Sequence, residues 1–130
     1  SKYTFFIEEP EAHLFPVSQK NIVSLIGNIY NYKPHNFVIT THSPYILTAF
    51  NNLIFGYEVS KKNDIEKIKK IIDPDSLINY EDVSAYTINN GVLESIKDDE
   101  TKLIGASIID SVSDDLSETF DSLIELDMSD

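Results

Sequence analysis

A nearly continuous apolar run, Tyr3 to Ile7, stops on two adjacent carboxylates, Glu8 and Glu9, with a third acid at Glu11. Such a run suits a short strand buried on both faces. A core strand cannot keep unpaired carboxylates, so either water or a cation must meet them at its end. Pro10 and Pro16 interrupt the backbone behind it, so residues 9–16 form a structured loop. From about Val17 to Tyr32, the apolar residues Ile22, Leu25, Ile26 and Ile29 recur at helical spacing as one amphipathic stripe, which Pro34 stops. "NFVITT" (36–41) is a second short, β-branched strand. Strand, helix and strand within about forty residues make a βαβ unit, which implies parallel pairing and a right-handed crossover.

"HSPYILTAF" then reads as a helix start, with Ser43 as N-cap and Pro44 at the first helical position. "NLIFGYEV" (52–59) predicts a third strand. Residues 60–80, richer in Lys and carrying "DPDS" (73–76), predict a surface helix and a turn. Alternation on both sides of Asn-Asn-Gly within "EDVSAYTINNGVLESIKD" predicts a β-hairpin. Val112, Leu116, Phe120, Leu123 and Ile124 line one face of a C-terminal helix, with Asp110, Ser113 and Asp114 supplying acid and capping groups at its start. The expected organisation is one α/β domain. Residues 1–59 form its βαβ core half, 60–80 a charged connector, and 81–130 the hairpin and acidic helix.

A chain of 130 residues supports one core. Its net charge of −12 is uneven: residues 1–93 hold ten acids against eight bases, and residues 94–130 hold twelve against two. The acidic end repels a phosphate backbone, which disfavours direct nucleic-acid binding there; it suits a solvated helix face. There is no cysteine, hence no disulfide or thiolate metal site, which fits a reducing, cytoplasmic compartment. No apolar run approaches the ~20 residues of a membrane helix. Ser1 stands directly before the first strand with no initiating Met, so the chain is expected to be a piece of a longer polypeptide.

Both strands of the βαβ unit end in polar groups: Glu8 and Glu9 on the first, Thr40, Thr41 and His42 on the second. In a parallel pair these ends share the carboxyl edge, where open α/β sheets place their ligands. Strands ~4.8 Å apart would let Glu8, Glu9 and His42 converge on one ligand. Carboxylate oxygens are hard donors suited to Mg²⁺. Neighbouring strand residues point to opposite faces, so Glu8 and Glu9 should do different work, one toward metal-bound water and one toward the reacting group. Two acids after a strand also suit the polar start of a loop, and a His before Ser-Pro suits a cap. Their coincidence at both strand ends favours a site. Glu11 and His13 could contact the ligand, or their loop could be held by local hydrogen bonds. His35, beside Pro34 in a turn, is given no role.

"YTFFIEEPEAHLFP", followed by Gln19 and then "FVITTHSPYIL", resembles the ATPases related to the ABC and structural-maintenance-of-chromosomes class. The nearest likeness is to the bacterial subgroup that includes the overcoming-lysogenization-defect ATPases and phage-defence ATPase subunits. The resemblance covers about residues 3–50. It implies the C-terminal half of an ABC-type P-loop NTPase sheet, with the first segment as the Walker B strand and "TTHSP" as the switch, or H-loop. It further implies that Glu8 helps hold the Mg²⁺ shell through water and that Glu9 is the general base orienting the attacking water. His42 would touch the γ-phosphate and water, with Thr41 and Ser43 beside the nucleotide. Glu11 and His13 fall, with Ala12 and Leu14, in the D-loop region, which meets a second subunit across an ATP-sandwich dimer. Two positions depart from the pattern: Walker B usually begins with Asp rather than Glu8, and the subgroup often has His where this chain has Phe15.

G-x-x-x-x-G-K-[ST], whose backbone amides and Lys cradle phosphates, is absent, as is an "LSGG"-like motif; the glycines at 27, 56, 91 and 105 are isolated. The expectation is half of an ATP- and Mg²⁺-dependent site, completed by an upstream Walker A half and by homodimerisation when ATP is bound. An effector or nucleic acid would engage other regions, and no membrane is involved. The missing Walker A strand would leave a gap in the sheet, closed by re-pairing or by a neighbour's edge. The alternatives are a non-catalytic ATPase lobe that docks a basic partner through its acidic helix, and a metal-dependent phosphoesterase built on Glu8, Glu9, His13 and His42.

Overall fold

Proline at the first helical position forfeits no N–H that a helix would use, and two such prolines begin the two helices that frame the fold. The computed structural model describes residues 2–129. Its elements in chain order are β1 (Thr4–Glu8), α1 (Pro16–Tyr32), β2 (Asn36–Thr40), α2 (Pro44–Ser60), α3 (Ile65–Lys69), β3 (Tyr86–Asn89), β4 (Val92–Ser95), β5 (Lys97–Asp98), β6 (Leu103–Ile104) and α4 (Ala106–Met128). Short 3₁₀ turns lie at Pro74–Ser76 and Tyr80–Asp82. The fold is thus mixed α/β. Ser43 caps α2 as the sequence predicts: its Oγ accepts from the N–H groups of Tyr45 (3.2 Å) and Ile46 (3.4 Å).

β1 and β2 pair in parallel, with Phe5 opposite Phe37 and Glu8 opposite Thr40, and α1 makes the crossover between them. The expected burial of the first strand on both faces does not hold. Phe5 stacks on Phe37 at 5.3 Å between centroids, and Ile7, Phe37 and Ile39 are half-buried. On the opposite face Val38 is exposed and Phe6 is 74% exposed. An apolar strand run needs two covering layers to be buried twice, and among the described residues only one face has a layer. Among the described residues the sheet has two strands, so re-pairing does not close the expected gap. His35 has a structural part: its Nδ1 accepts from the Tyr3 N–H at 3.1 Å and its ring meets Phe5 edge-on, which fixes the start of β1.

The predicted third strand, 52–59, is instead the C-terminal part of α2. A short apolar run is consistent with either element, and nothing between Pro44 and Ser60 breaks the helix that Ser43 starts. Ile46, Ala49, Leu53 and Ile54 form its buried face and, with Val23 of α1, Ile78, Tyr80 and Ile104, make the core. The α1 stripe is likewise shifted: Gln19, Val23, Ile26 and Gly27 are buried, whereas Leu25 and Ile29 are exposed. Residues 60–80 supply the expected helix and turn, but Ile68, Ser76, Leu77, Ile78 and Tyr80 are buried, so this stretch is also core.

β3 and β4 form the predicted hairpin. Asn90 (φ 52°) and Gly91 (φ 78°) both occupy the left-handed region that a two-residue type I′ turn requires. Asn51 of α2 docks the next segment, its Nδ2 donating to the Ile104 carbonyl and its Oδ1 accepting from the Ile104 N–H, both at 2.8 Å. α4 then starts at Ala106 after Gly105 (φ 60°), with no side-chain cap. Asp110, Ser113 and Asp114 therefore sit inside the helix rather than at its start, because Gly105 turns the chain earlier. Its first turn is half-buried near α2, and beyond it Leu116, Phe120, Leu123 and Ile124 are exposed. The side chain of Val112, assigned to the same face, lies outside the described residues. No described helix is long and apolar enough to cross a membrane.

Candidate functional site

Parallel pairing brings the ends of β1 and β2 side by side, and the two loops that follow meet there. Ladder bonding continues one step beyond the strands, the Glu9 N–H donating to the Thr40 carbonyl at 2.8 Å. Glu9 itself takes φ 45°, a left-handed conformation that a non-glycine residue adopts at a cost of order 1–3 kcal/mol. This turn breaks the strand alternation, and Pro10 and two tight turns follow, closed by Ala12 N–H to the Glu9 carbonyl and Leu14 N–H to the Glu11 carbonyl, each 2.9 Å. His13, at φ 61°, repeats the left-handed conformation in the second turn.

The consequence is an imidazole–carboxylate pair. His42 Nε2 lies 3.1 Å from Glu9 Oε1, and the two side chains are 87% and 50% exposed. A contact this open adds little stability, so its geometry matters more than its energy. Glu11 is held differently. Its Oε1 accepts from the Thr41 hydroxyl (2.8 Å) and its Oε2 from the His42 N–H (2.9 Å). Burial acts to raise its pKa, but these two donors outweigh it and hold the carboxyl below its ordinary value. Thr41 Oγ1 also accepts from the Ser43 N–H at 3.0 Å. Behind this, the Ser43 hydroxyl donates to Gln19 Oε1 at 2.6 Å, and Gln19 Nε2 donates to the Leu14 carbonyl at 3.1 Å. Gln19, only 8% exposed, therefore braces both loops from within.

Thus Glu9, Glu11, Thr41, His42 and Ser43 come together at the shared strand edge. Glu8, opposite Thr40, is exposed at the end of β1 with no side-chain hydrogen bond among the described residues; the same holds for the exposed His13 in the loop. No three His, Asp or Glu side chains among the described residues converge closely enough to hold a cation alone. Free carboxylate oxygen at Glu8 and Glu9 suits Mg²⁺, which keeps water and takes one or two carboxylates together with substrate phosphates. A phosphate cradle is a different matter. The first amides of α2 are used by the Ser43 cap, and no glycine-rich loop occurs among the described residues. The donor set thus suits Mg²⁺ together with phosphate oxygens, and among the described residues no phosphate cradle accompanies it.

The bracing role of Gln19 escapes the sequence pattern. Its signal is a polar residue at the head of the buried stripe Gln19, Val23, Ile26, whose side chain must find partners once buried.

No curated protein and no solved structure matches this chain. A family model described as AAA ATPase domain matches residues 1–47, the stretch from β1 to the first turn of α2 that contains every residue of the site, and this similarity supports an ATPase-type function for it.

Proposed function

We propose that the ends of β1 and β2 are the catalytic half of an ATP-hydrolysing site of the ABC-type P-loop class. The observation that carries this reading is the 3.1 Å contact of His42 Nε2 with Glu9 Oε1, made by side chains from the ends of two adjacent parallel strands. Hydrolysis of a phosphoanhydride needs an oriented water, a group to receive its proton, and neutralisation of developing charge. Glu9 is the base: it accepts a hydrogen bond from the attacking water and aligns it. His42 holds the Glu9 carboxylate and presents its exposed ring to the terminal phosphate. Glu8 would hold Mg²⁺ through water, and the ion would supply charge neutralisation at the phosphates. Thr41, Ser43, Glu11 and His13 surround the nucleotide side of these loops. The phosphate cradle comes from a Walker A half in a longer polypeptide, and the D-loop region 11–14 meets a second copy when ATP is bound.

The test is Glu9→Gln in a polypeptide that joins this segment to its Walker A half. Turnover falls by roughly 10²–10⁴, the contribution of a positioned base, while ATP binding persists. Unchanged turnover removes Glu9 from the mechanism.

A second reading is favoured by one observation. α4 exposes Leu116, Phe120, Leu123 and Ile124 along one side and carries acids without a single base. A non-catalytic lobe that docks a basic amphipathic partner would present such a helix. Mg²⁺-dependent ATP binding without hydrolysis in the joined polypeptide would favour it.

A further inference from the structure

We infer that Glu11 is a positioning residue, a latch that ties the loop after β2 to the loop after β1 and thereby holds His42 against Glu9. The latch is read from the hydrogen bonds alone, whereas its effect on turnover rests on the ATPase reading above.

Beyond Thr40, the chain leaves β2 and its amide groups lose their ladder partners. The N–H groups of His42 and Ser43 then turn to water or to new acceptors in the protein. Glu11 supplies the answer from the other loop. One carboxylate oxygen takes the His42 N–H at 2.9 Å, and the other takes the Thr41 hydroxyl at 2.8 Å. The same hydroxyl oxygen receives the Ser43 N–H at 3.0 Å. A single carboxylate thus orders three consecutive residues, Thr41 to Ser43, across about thirty positions of sequence. The backbone that carries the His42 ring is fixed by residues of the same loop that carries Glu9. Charge makes the bonds strong: ionised carboxylates accept shorter and stronger hydrogen bonds than amides do. With both oxygens engaged inside the protein, Glu11 has less capacity left for a nucleotide or ion than Glu8 or Glu9.

The brace through Gln19 and Ser43 lies on the helix side of the same junction. It ties Leu14 to Ser43 and does not reach the His42 amide. Glu11 is therefore the group whose loss should free His42 while leaving the ends of α1 and α2 joined.

The experiment has two arms. In the first, amide hydrogen exchange is followed residue by residue in this chain and its Glu11→Ala variant. Protection of the His42 and Ser43 amides should fall by roughly tenfold or more, as expected for loss of charged acceptors. Glu9, whose amide bonds to Thr40, and the α2 core amides should change little. Unchanged protection at His42, or an equal loss everywhere, overturns the latch. Glu11→Gln, which keeps one oxygen acceptor, should recover part of the protection. In the second arm, the polypeptide carrying the Walker A half is assayed for ATP hydrolysis. Glu11→Ala should lower kcat by about tenfold to a hundredfold with little change in KM. A KM that rises with kcat preserved would make Glu11 a nucleotide ligand and overturn the assignment. If instead Glu9→Gln leaves turnover intact, the ATPase reading falls while the exchange result still decides the latch.

Discussion

Gly27 sets a test in which two physical effects oppose each other. It lies inside α1, where alanine is favoured over glycine by roughly 0.5–1 kcal/mol on helix propensity alone. A Cβ built at this position, however, collides with the backbone carbonyl oxygen of Ser76 and presses Leu53 Cδ1 at 3.1 Å. The carbonyl cannot swing aside as a side chain could. Its turn is anchored by Asn28 Nδ2 to Asp73 Oδ2 (3.1 Å), by Asn31 Nδ2 to the Asp75 and Leu77 carbonyls (2.7 Å each), and by the Ser76 hydroxyl to the Asp73 carbonyl (2.7 Å). Overpacking against a fixed neighbour costs typically 1–3 kcal/mol. The clash therefore wins, and Gly27→Ala should lose about 1–2 kcal/mol net, read as a lower urea midpoint at unchanged m. Gly56→Ala is the internal control. Its Cβ meets Leu77 Cδ2 at 2.7 Å, the movable end of a side chain, so its cost should be clearly smaller. If Gly27→Ala is as stable as the parent or more so, α1 does not pack on the Pro74–Ser76 turn as described.

Asn51→Ala removes both 2.8 Å bonds to Ile104 and leaves the N–H and carbonyl of that core residue without these partners. It should cost about 2–3 kcal/mol and deprotect the Ile104 amide before the β3–β4 hairpin; equal stability would contradict the docking. Tyr80 is buried, its hydroxyl donates to Asp99 Oδ1 at 2.8 Å, and Lys97 Nζ sits 4.1 Å over its ring. Burial first, then the Asp99 carboxylate, pushes its pKa up to about 12, above the roughly 10 of an unfolded tyrosine. The folded state therefore holds this proton more tightly. Its contribution is complete below about pH 10 and is lost as pH rises toward 12. Urea midpoints measured across that window should fall, and fall less steeply in Tyr80→Phe; parallel slopes would show that Tyr80 is not the group responsible.

Much of the fold follows from local rules. The βαβ unit, the Ser43 cap and the Asn90-Gly91 hairpin each depend on residues near one another, and each is present as expected. The failures share a different cause. "NLIFGYEV" is a short, largely apolar run, so periodicity does not distinguish a strand from a helix with one buried face, and helix continuity from Ser43 decides it. Residues 60–80 look polar by composition, yet Ile68, Leu77, Ile78 and Tyr80 turn inward because the Pro74–Ser76 turn lies against Gly27. That burial depends on a partner some forty-five positions away. α4 starts earlier than its acids suggest for a related reason: Gly105 acts as a left-handed turn held by its N–H to the Ile96 carbonyl at 2.8 Å.

At the candidate site, the residues that face outward are legible in the sequence, whereas the bonds that hold them are not. Carboxylates and a histidine at the ends of apolar strands conflict with burial, and that conflict is visible in one dimension. Glu9 and His42 announce themselves in this way, and their 3.1 Å contact follows once β1 and β2 pair in register. The supporting contacts involve no such conflict in the sequence. Glu11 reads as a loop acid that either contacts a ligand or bonds locally, and Gln19 as a polar residue in the first turns of a helix, and neither reading names the partner. Their use appears only when Glu9 turns through φ 45° and carries Glu11 back across the Thr41 hydroxyl, and when Ser43 closes on Gln19. A site assembled from two loops stays arranged without ligand only if such supporting bonds hold it, because open contacts such as Glu9–His42 contribute too little to do so.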